Sequence, residues 1–224
     1  YPGVQCDIES YIYLPLIEEL GTMPTLKYVY GPEILEHARA LGRHFDLYRD
    51  ALFSTRVTRL EWDEGAARWQ VETDRGDRLR ARFVVVASGP LSRPKLPGIP
   101  GIEDFEGHTF HTSRWDYAYT GGDSTGGLVG LRDKRVGVIG TGATAIQCIP
   151  HLGEWSRHLT VFQRTPSCVD SRRNVPTDPA WFASLEPGWQ RERIWNFSTT
   201  LSGRNLEVDL VNDGWTDIMR NLAG

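Results

Sequence analysis

Cysteine, surplus positive charge and long apolar stretches are what this sequence has little of. Three cysteines, Cys6, Cys148 and Cys168, stand far apart. An odd, dispersed set supports neither a disulfide framework nor a zinc pattern, so two of them are read as small buried hydrophobes and no metal is expected. No apolar run approaches the roughly 18 residues of a membrane span, and the N-terminus lacks the charged-then-apolar order of a secretory leader. Lys and Arg number 25 against 29 Asp and Glu, a net charge of −4. That balance gives no electrostatic reason to expect nucleic acid or an anionic membrane as partner. A soluble, cytoplasmic protein is expected. The Asn196-Phe197-Ser198 sequon is set aside for the same reason, and Arg75-Gly76-Asp77 reads as turn chemistry.

What is present is patterned. Pro32 followed by Ile34, Leu35, Ala38, Leu41 and Phe45 predicts an amphipathic helix with proline in its first turn. The period then changes to two. Thr58, Leu60 and Trp62 alternate, then Trp69, Val71 and Thr73, then Leu79, Ala81 and Phe83, with polar turns between: a three-stranded antiparallel meander. Its last strand is expected to run on through Phe83-Val84-Val85-Val86-Ala87 with both faces covered, as in a parallel sheet, and to stop at Ser88-Gly89-Pro90. Pro94, Pro97 and Pro100 make a stiff connector. The glycine pairs at 121–122 and 126–127 read as a flexible inserted loop. From residue 135 the pattern is βαβ: a strand from Val136 to Ile139, a helix to about Leu152, and a strand from Leu159 to Phe162. Trp181, Trp189, Trp195 and Trp215 mark C-terminal helices expected to pack over a site.

The turn inside that βαβ unit carries the chemistry. Gly140-Thr141-Gly142-Ala143-Thr144-Ala145 places GxGxxA between strand and helix. Gly140 permits the tight turn, Gly142 leaves room for a pyrophosphate, and Ala145 allows close helix packing. The helix N-terminus offers unpaired N–H groups to the phosphates. About 20 residues on, a site for NAD would carry an acidic side chain. Here the second strand ends Gln163-Arg164-Thr165. Arg164 can hold a 2′-phosphate bidentately and Thr165 can add a donor, so NADP is the expected coenzyme.

The segment Phe105 to Asp116 resists this kind of reading. His108 and His111 lack a third ligand at workable spacing and no cysteine accompanies them, which disfavours a metal. No nucleophile elbow is visible. A packed connector, placed as a hinge between two nucleotide-binding regions, remains.

Phe105-x-Gly107-x-x-x-His111-x-x-x-Trp115-Asp116 resembles the FxGxxxHxxxW(P/D) fingerprint of Baeyer–Villiger monooxygenases. Tyr1-Pro2-Gly3-x-x-x-Asp7 looks like the tail of that family's second fingerprint, Ala87-Ser88-Gly89 resembles the motif ending its FAD domain, and Gln163-Arg164-Thr165-Pro166 its NADP-phosphate clamp. The resemblance spans most of residues 1 to 166 in family order. It implies an α/β flavoprotein with two dinucleotide-binding domains, Rossmann-like, combining a parallel sheet with an antiparallel meander, and with its FAD domain incomplete. Residues 1–100 would be the C-terminal part of that FAD domain, 101–134 the connector with the fingerprint, and 135–224 the NADP domain with the start of a helical insertion. The implied activity uses NADPH, FAD and O₂, through a flavin peroxide, to insert oxygen beside a ketone carbonyl, giving an ester or lactone.

The resemblance further implies site residues. Asp7 would match an active-site aspartate that supports a catalytic arginine beyond Gly224; His111 would couple conformational change, and Trp115 separates this fingerprint from those of related oxygenases. Tyr13 and Val57 match positions that touch FAD. Gln5, Cys6, Thr141, Ala143, Thr144 and Gln147 complete the cofactor-binding set, Gln5 standing where the family more often has arginine. The chain opens without methionine and is expected to be an excerpt that lacks the first GxGxxG, binds little FAD and does not turn over alone. Two other readings remain: an inactive NADP-binding fragment, and an N- or S-oxygenating flavoenzyme, against which Trp115 counts.

Overall fold

In the computed structural model, residues 1–89, 91, 93–167, 169, 172–204 and 206–223 are described, the last without its side chain. The expected strand stop at Pro90, the third cysteine, Cys168, and the terminal Gly224 lie outside the described residues. The elements follow in the order α1 (Ser10–Tyr13), α2 (Ile17–Leu20), α3 (Gly31–His44), β1 (Val57–Asp63), β2 (Arg68–Thr73), β3 (Arg78–Ala81), α4 (Tyr117–Thr120), β4 (Arg135–Ile139), α5 (Ala143–Trp155), β5 (His158–Phe162), α6 (Pro179–Ala183), α7 (Trp189–Leu201) and α8 (Gly214–Ala223). Two compact units result: residues 1–45 with 107–224, and residues 46–106. The first 45 residues thus pack with the second half of the chain.

The meander lies in the smaller unit. β1 and β2 pair antiparallel with Trp62 opposite Trp69 and Leu60 opposite Val71, and β2 pairs β3 with Val71 opposite Leu79. The period-two pattern thus sets the register, since partners across a ladder share a face. The expected continuation through Phe83–Ala87 does not form. The last pair of the β2–β3 ladder is Trp69 with Ala81. Beyond Trp69, β2 gives way within two residues to the β1–β2 turn, so Phe83 onward has no backbone partner in the meander. A strand without a partner leaves its N–H and C=O groups unpaired. Phe83 and Val85 are accordingly 83% and 88% exposed.

In the larger unit β4 and β5 pair parallel, Val136 with Leu159 and Val138 with Val161, and α5 crosses between them. This right-ordered βαβ unit joined to an antiparallel meander is the mixed α/β combination expected. Leu128, Leu131, Cys148 and Leu152 form its core, with Tyr1, Trp115, Val136, Val138, Trp155 and Leu159 packed around them. The glycine-rich stretch 121–127 is not a loose insertion. Asp123 and Gly126 form a bridge, Thr125 N–H donates to the Asp123 carboxylate at 2.7 Å, and Leu128 behind them is fully buried. Glycine pairs signal flexibility in a sequence; burial of the neighbouring leucine overrides it here.

A second core gathers Cys6, Tyr11, Leu14, Ile17, Tyr28 and Val29, with Ile34, Trp181 and Trp189 against it. The tryptophan-bearing helices α6 and α7 therefore cover the N-terminal segment. Gln190 of α7 is buried and fully used: its amide donates to the carbonyls of Tyr11 and Leu14, and its oxygen accepts from Ile17 N–H at 3.0 Å. Asn196, the sequon residue, is likewise buried, bonding Val208 and Leu210 through its amide.

Candidate functional site

The glycine turn is built as its residue types require. Gly140 takes φ of +102°, a region side chains rarely adopt, and its N–H donates to the Phe162 carbonyl at 2.9 Å, locking the turn to the end of β5. A Cβ added at Gly140 or Gly142 would meet nothing within 4 Å. The space beside these two glycines is unfilled by the described residues. Gly142 stands at the N-cap of α5 with no side chain capping it, so the first-turn N–H groups of Ala143 and Thr144 face outward. Ala145 is buried and Thr141 half-buried.

The chain after β5 folds back over this turn. Gln163 donates to the Thr141 hydroxyl at 3.1 Å, and the Ser167 hydroxyl bonds the Thr141 carbonyl. Arg164 and Thr165 between them are exposed beside the turn. Ser167 was not singled out by the sequence, although its place directly after Arg164-Thr165-Pro166 is a usable signal.

The N-terminal segment crosses the other flank of α5. Tyr1 to Val4 close a turn through the Val4 N–H and Tyr1 carbonyl at 3.2 Å, and Gly3 N–H donates to Ser124 O at 2.9 Å. The turn sits so close that a Cβ on Gly3 would stand 2.5 Å from the Gln147 carbonyl. Gln5 N–H donates to Gln147 Oε1 at 2.9 Å while the Gln5 amide donates to Tyr28 O at 2.8 Å. Both glutamines are thus employed in docking this segment. Burial raises the Tyr1 hydroxyl above its ordinary range, with Thr144 and Gln147 in hydrogen-bonding reach. Cys6 is buried with its thiol pushed up to about 11 by burial. Asp7 is exposed and has Arg172 beside it, its Nη1 3.7 Å from Asp7 Oδ1. Nothing in the spacing of the sequence pointed to Arg172. Tyr13, at the end of α1, is 49% exposed; Val57, in the smaller unit, opens β1 with an exposed side chain.

In the fingerprint segment the two histidines differ. His111 Nδ1 accepts from Ser113 N–H at 3.2 Å and pairs with its hydroxyl at 2.8 Å, capping the turn Thr112–Arg114. His108 Nε2 lies 2.9 Å from Asp116 Oδ2, and its ring stacks on Tyr119 with centres 3.9 Å apart. Asp116 also accepts from Tyr119 N–H at 3.1 Å, capping α4. Trp115 packs against the core under β4 and α5, and its indole N–H donates to Thr120 Oγ1 at 3.1 Å. Trp115 is therefore a fastening of the segment onto the βαβ unit. Among the described residues, no group of three or more His, Cys, Asp or Glu is placed to hold a metal ion, and no helix is long and apolar enough to cross a membrane.

The family described as pyridine nucleotide-disulphide oxidoreductase matches residues 15–178. Over 223 residues, 100% of this chain, the sequence is 62% identical to neopentalenolactone D synthase of Streptomyces avermitilis and 59% identical to Baeyer–Villiger monooxygenase ATR8 of Stachybotrys chlorohalonatus, covering 38% and 36% of their lengths. It superposes on the structure of polycyclic ketone monooxygenase from Thermothelomyces thermophila with a TM-score of 0.89 at 45% identity, covering 96% of this chain and 36% of that one. On OTEMO in complex with FAD and NADP the TM-score is 0.72 at 33% identity, covering 90% and 37%. The chain thus spans less than two fifths of the length of the proteins it matches.

Proposed function

The chain belongs to the pyridine nucleotide-disulphide oxidoreductase family, and from that premise we propose that the protein carrying it is a Baeyer–Villiger monooxygenase dependent on FAD and NADPH. The reaction converts a ketone, O₂, NADPH and a proton into an ester or lactone, water and NADP⁺. When bound, FAD accepts hydride from NADPH and passes the electrons to O₂. The observation that carries the reading is the open Gly140–Ala145 turn at the head of α5, in a chain 62% identical to a relative along its whole length.

In this reading the chain's residues bind and orient. The backbone of Thr141, Gly142, Ala143 and Thr144 receives the pyrophosphate of NADP, in the space that Gly140 and Gly142 leave unfilled. Arg164 and Thr165 hold the 2′-phosphate at the exposed end of β5. Gln5 and Gln147 keep the N-terminal turn against α5, so that Asp7 stands at a fixed distance from the nucleotide turn. His111 and Trp115 act by shaping the connector, since both are bonded within it and neither reaches the glycine turn. Tyr13 and Val57 supply contacts to FAD. Residues 1–100 contribute to the FAD domain, 101–134 to the connector and 135–224 to the NADP domain. Two free buried thiols, Cys6 and Cys148, suit a reducing, cytoplasmic setting.

The test uses the full-length, FAD-loaded protein with a panel of ketones under isotopically labelled O₂. Ketone-dependent NADPH oxidation with one labelled oxygen in the ester is expected. Label found only in N- or S-oxides, or NADPH oxidation indifferent to every ketone, overturns the reading.

A further inference from the structure

Asp7 carries one carboxylate, 60% exposed, at the end of the N-terminal extended segment. Arg172 is the cation placed against it. Arg172 Nη1 donates to the Asp7 carbonyl and stands 3.7 Å from its Oδ1, while Nη2 donates to the Cys6 carbonyl at 2.9 Å. The guanidinium carbon lies 3.8 Å from the centre of the Tyr28 ring. Tyr28 is itself immobilised. It is 1% exposed, its N–H donates to Asn174 Oδ1 at 3.0 Å, and its carbonyl accepts from Asn174 Nδ2 at 3.0 Å and Gln5 Nε2 at 2.8 Å. A planar fork held by two consecutive carbonyls and a fixed aromatic face has little freedom left; an ammonium on a flexible stem could not reproduce it.

We infer that Arg172 is the positioning residue for Asp7: it fixes the Cys6–Asp7 backbone and sets a counter-charge beside the carboxylate. This rests on the reading of Asp7 as a residue of the oxygenase site. The arginine implied by the family resemblance lies elsewhere in the parent protein, so Arg172 is a second one. It also differs from the nucleotide-choosing Arg164, because its bonds go to the N-terminal segment and not to the glycine turn. The role predicts a particular defect. Without Arg172 the coenzyme still binds, while the step that depends on where Asp7 stands slows.

The experiment is a double-mutant cycle in the full-length, FAD-loaded protein, combining Arg172→Met with Asp7→Asn and reading the rate of flavin reduction by NADPH beside the Kd for NADP⁺. Arg172→Met is expected to slow reduction about ten- to a hundredfold, the cost of a misplaced group. The Kd should change less than about threefold, and the double variant should be no slower than the worse single one, because neighbours in one network do not add. Arg172→Lys should fall between, keeping charge but losing the fork. Multiplying losses, a Kd that rises in step with the rate loss, or wild-type rates in Arg172→Met overturn the inference. If Arg172→Met does not fold, Arg172→Lys carries the same cycle. A wild-type protein that holds FAD but is not reduced by NADPH overturns the functional reading instead. Amide exchange over residues 6–8 then decides the pairing: about tenfold faster exchange in the arginine variant supports it, and unchanged exchange sinks it.

Discussion

Arg164 follows β5 where a site for NAD would carry an acid, and in the proposed function this one side chain chooses the coenzyme. A charge-assisted bond to a phosphate is worth about 1.5–3 kcal/mol. Arg164→Ala is therefore expected to cut the preference for NADPH over NADH by about ten- to a hundredfold, measured as the ratio of kcat/KM values. Cys6 offers a check on burial. With its thiol pushed up to about 11 by burial, it stays protonated at neutral pH. Iodoacetamide should label it only after unfolding, read as a mass shift on its peptide. The glycines and Arg164 were legible because each answers a local demand, a positive φ or an exposed cation at a fixed offset. Arg172 was not, since its partner Asp7 lies far away in the chain and no spacing encodes the pair.

Elements show the same division. The meander was legible as three antiparallel strands because alternation is a property of the strand itself, and the βαβ unit because its turn and flanking strands agree. The run Phe83–Ala87 was misread as a strand since hydrophobicity names a residue's preference for burial but cannot supply the neighbour that would provide it. Glu9 shows what tertiary contacts add. It is fully buried, bonded through both oxygens to Arg193 of α7, and burial raises its carboxyl above the usual range against the pull of that arginine. Removing one partner leaves a buried charge alone. Arg193→Met is expected to cost about 3–5 kcal/mol, whereas Glu9→Leu with Arg193→Met should recover much of it. Denaturant midpoints of the three variants check this. A raised carboxyl binds a proton more readily folded than unfolded, so the Glu9 contribution should weaken as pH rises from the ordinary glutamate range through the raised value.

Over the whole molecule, many apolar side chains are exposed among the described residues, and three of the most exposed, Phe83, Val85 and Val86 at 83%, 88% and 75%, lie within four residues of one another in the smaller unit. A contiguous patch of this kind attracts other apolar surfaces. The 224-residue segment produced by itself is expected to bind a hydrophobic dye and to self-associate. Phe83→Glu with Val85→Glu should lower both signals, read by fluorescence and gel filtration. The larger unit is assembled from two separate segments of the sequence, residues 1–45 and 107–224. Its hydrogen bonds include Gln5 to Gln147, Tyr28 to Asn174 and Glu9 to Arg193, at separations of 142, 146 and 184 residues. During synthesis at roughly 5–20 residues per second, the first 45 residues leave the ribosome many seconds before any of those partners exist. Tyr11, Leu14, Ile17 and Tyr28 stay uncovered for that interval, so the opening stretch of this chain should be a client of nascent-chain chaperones until translation has passed α7.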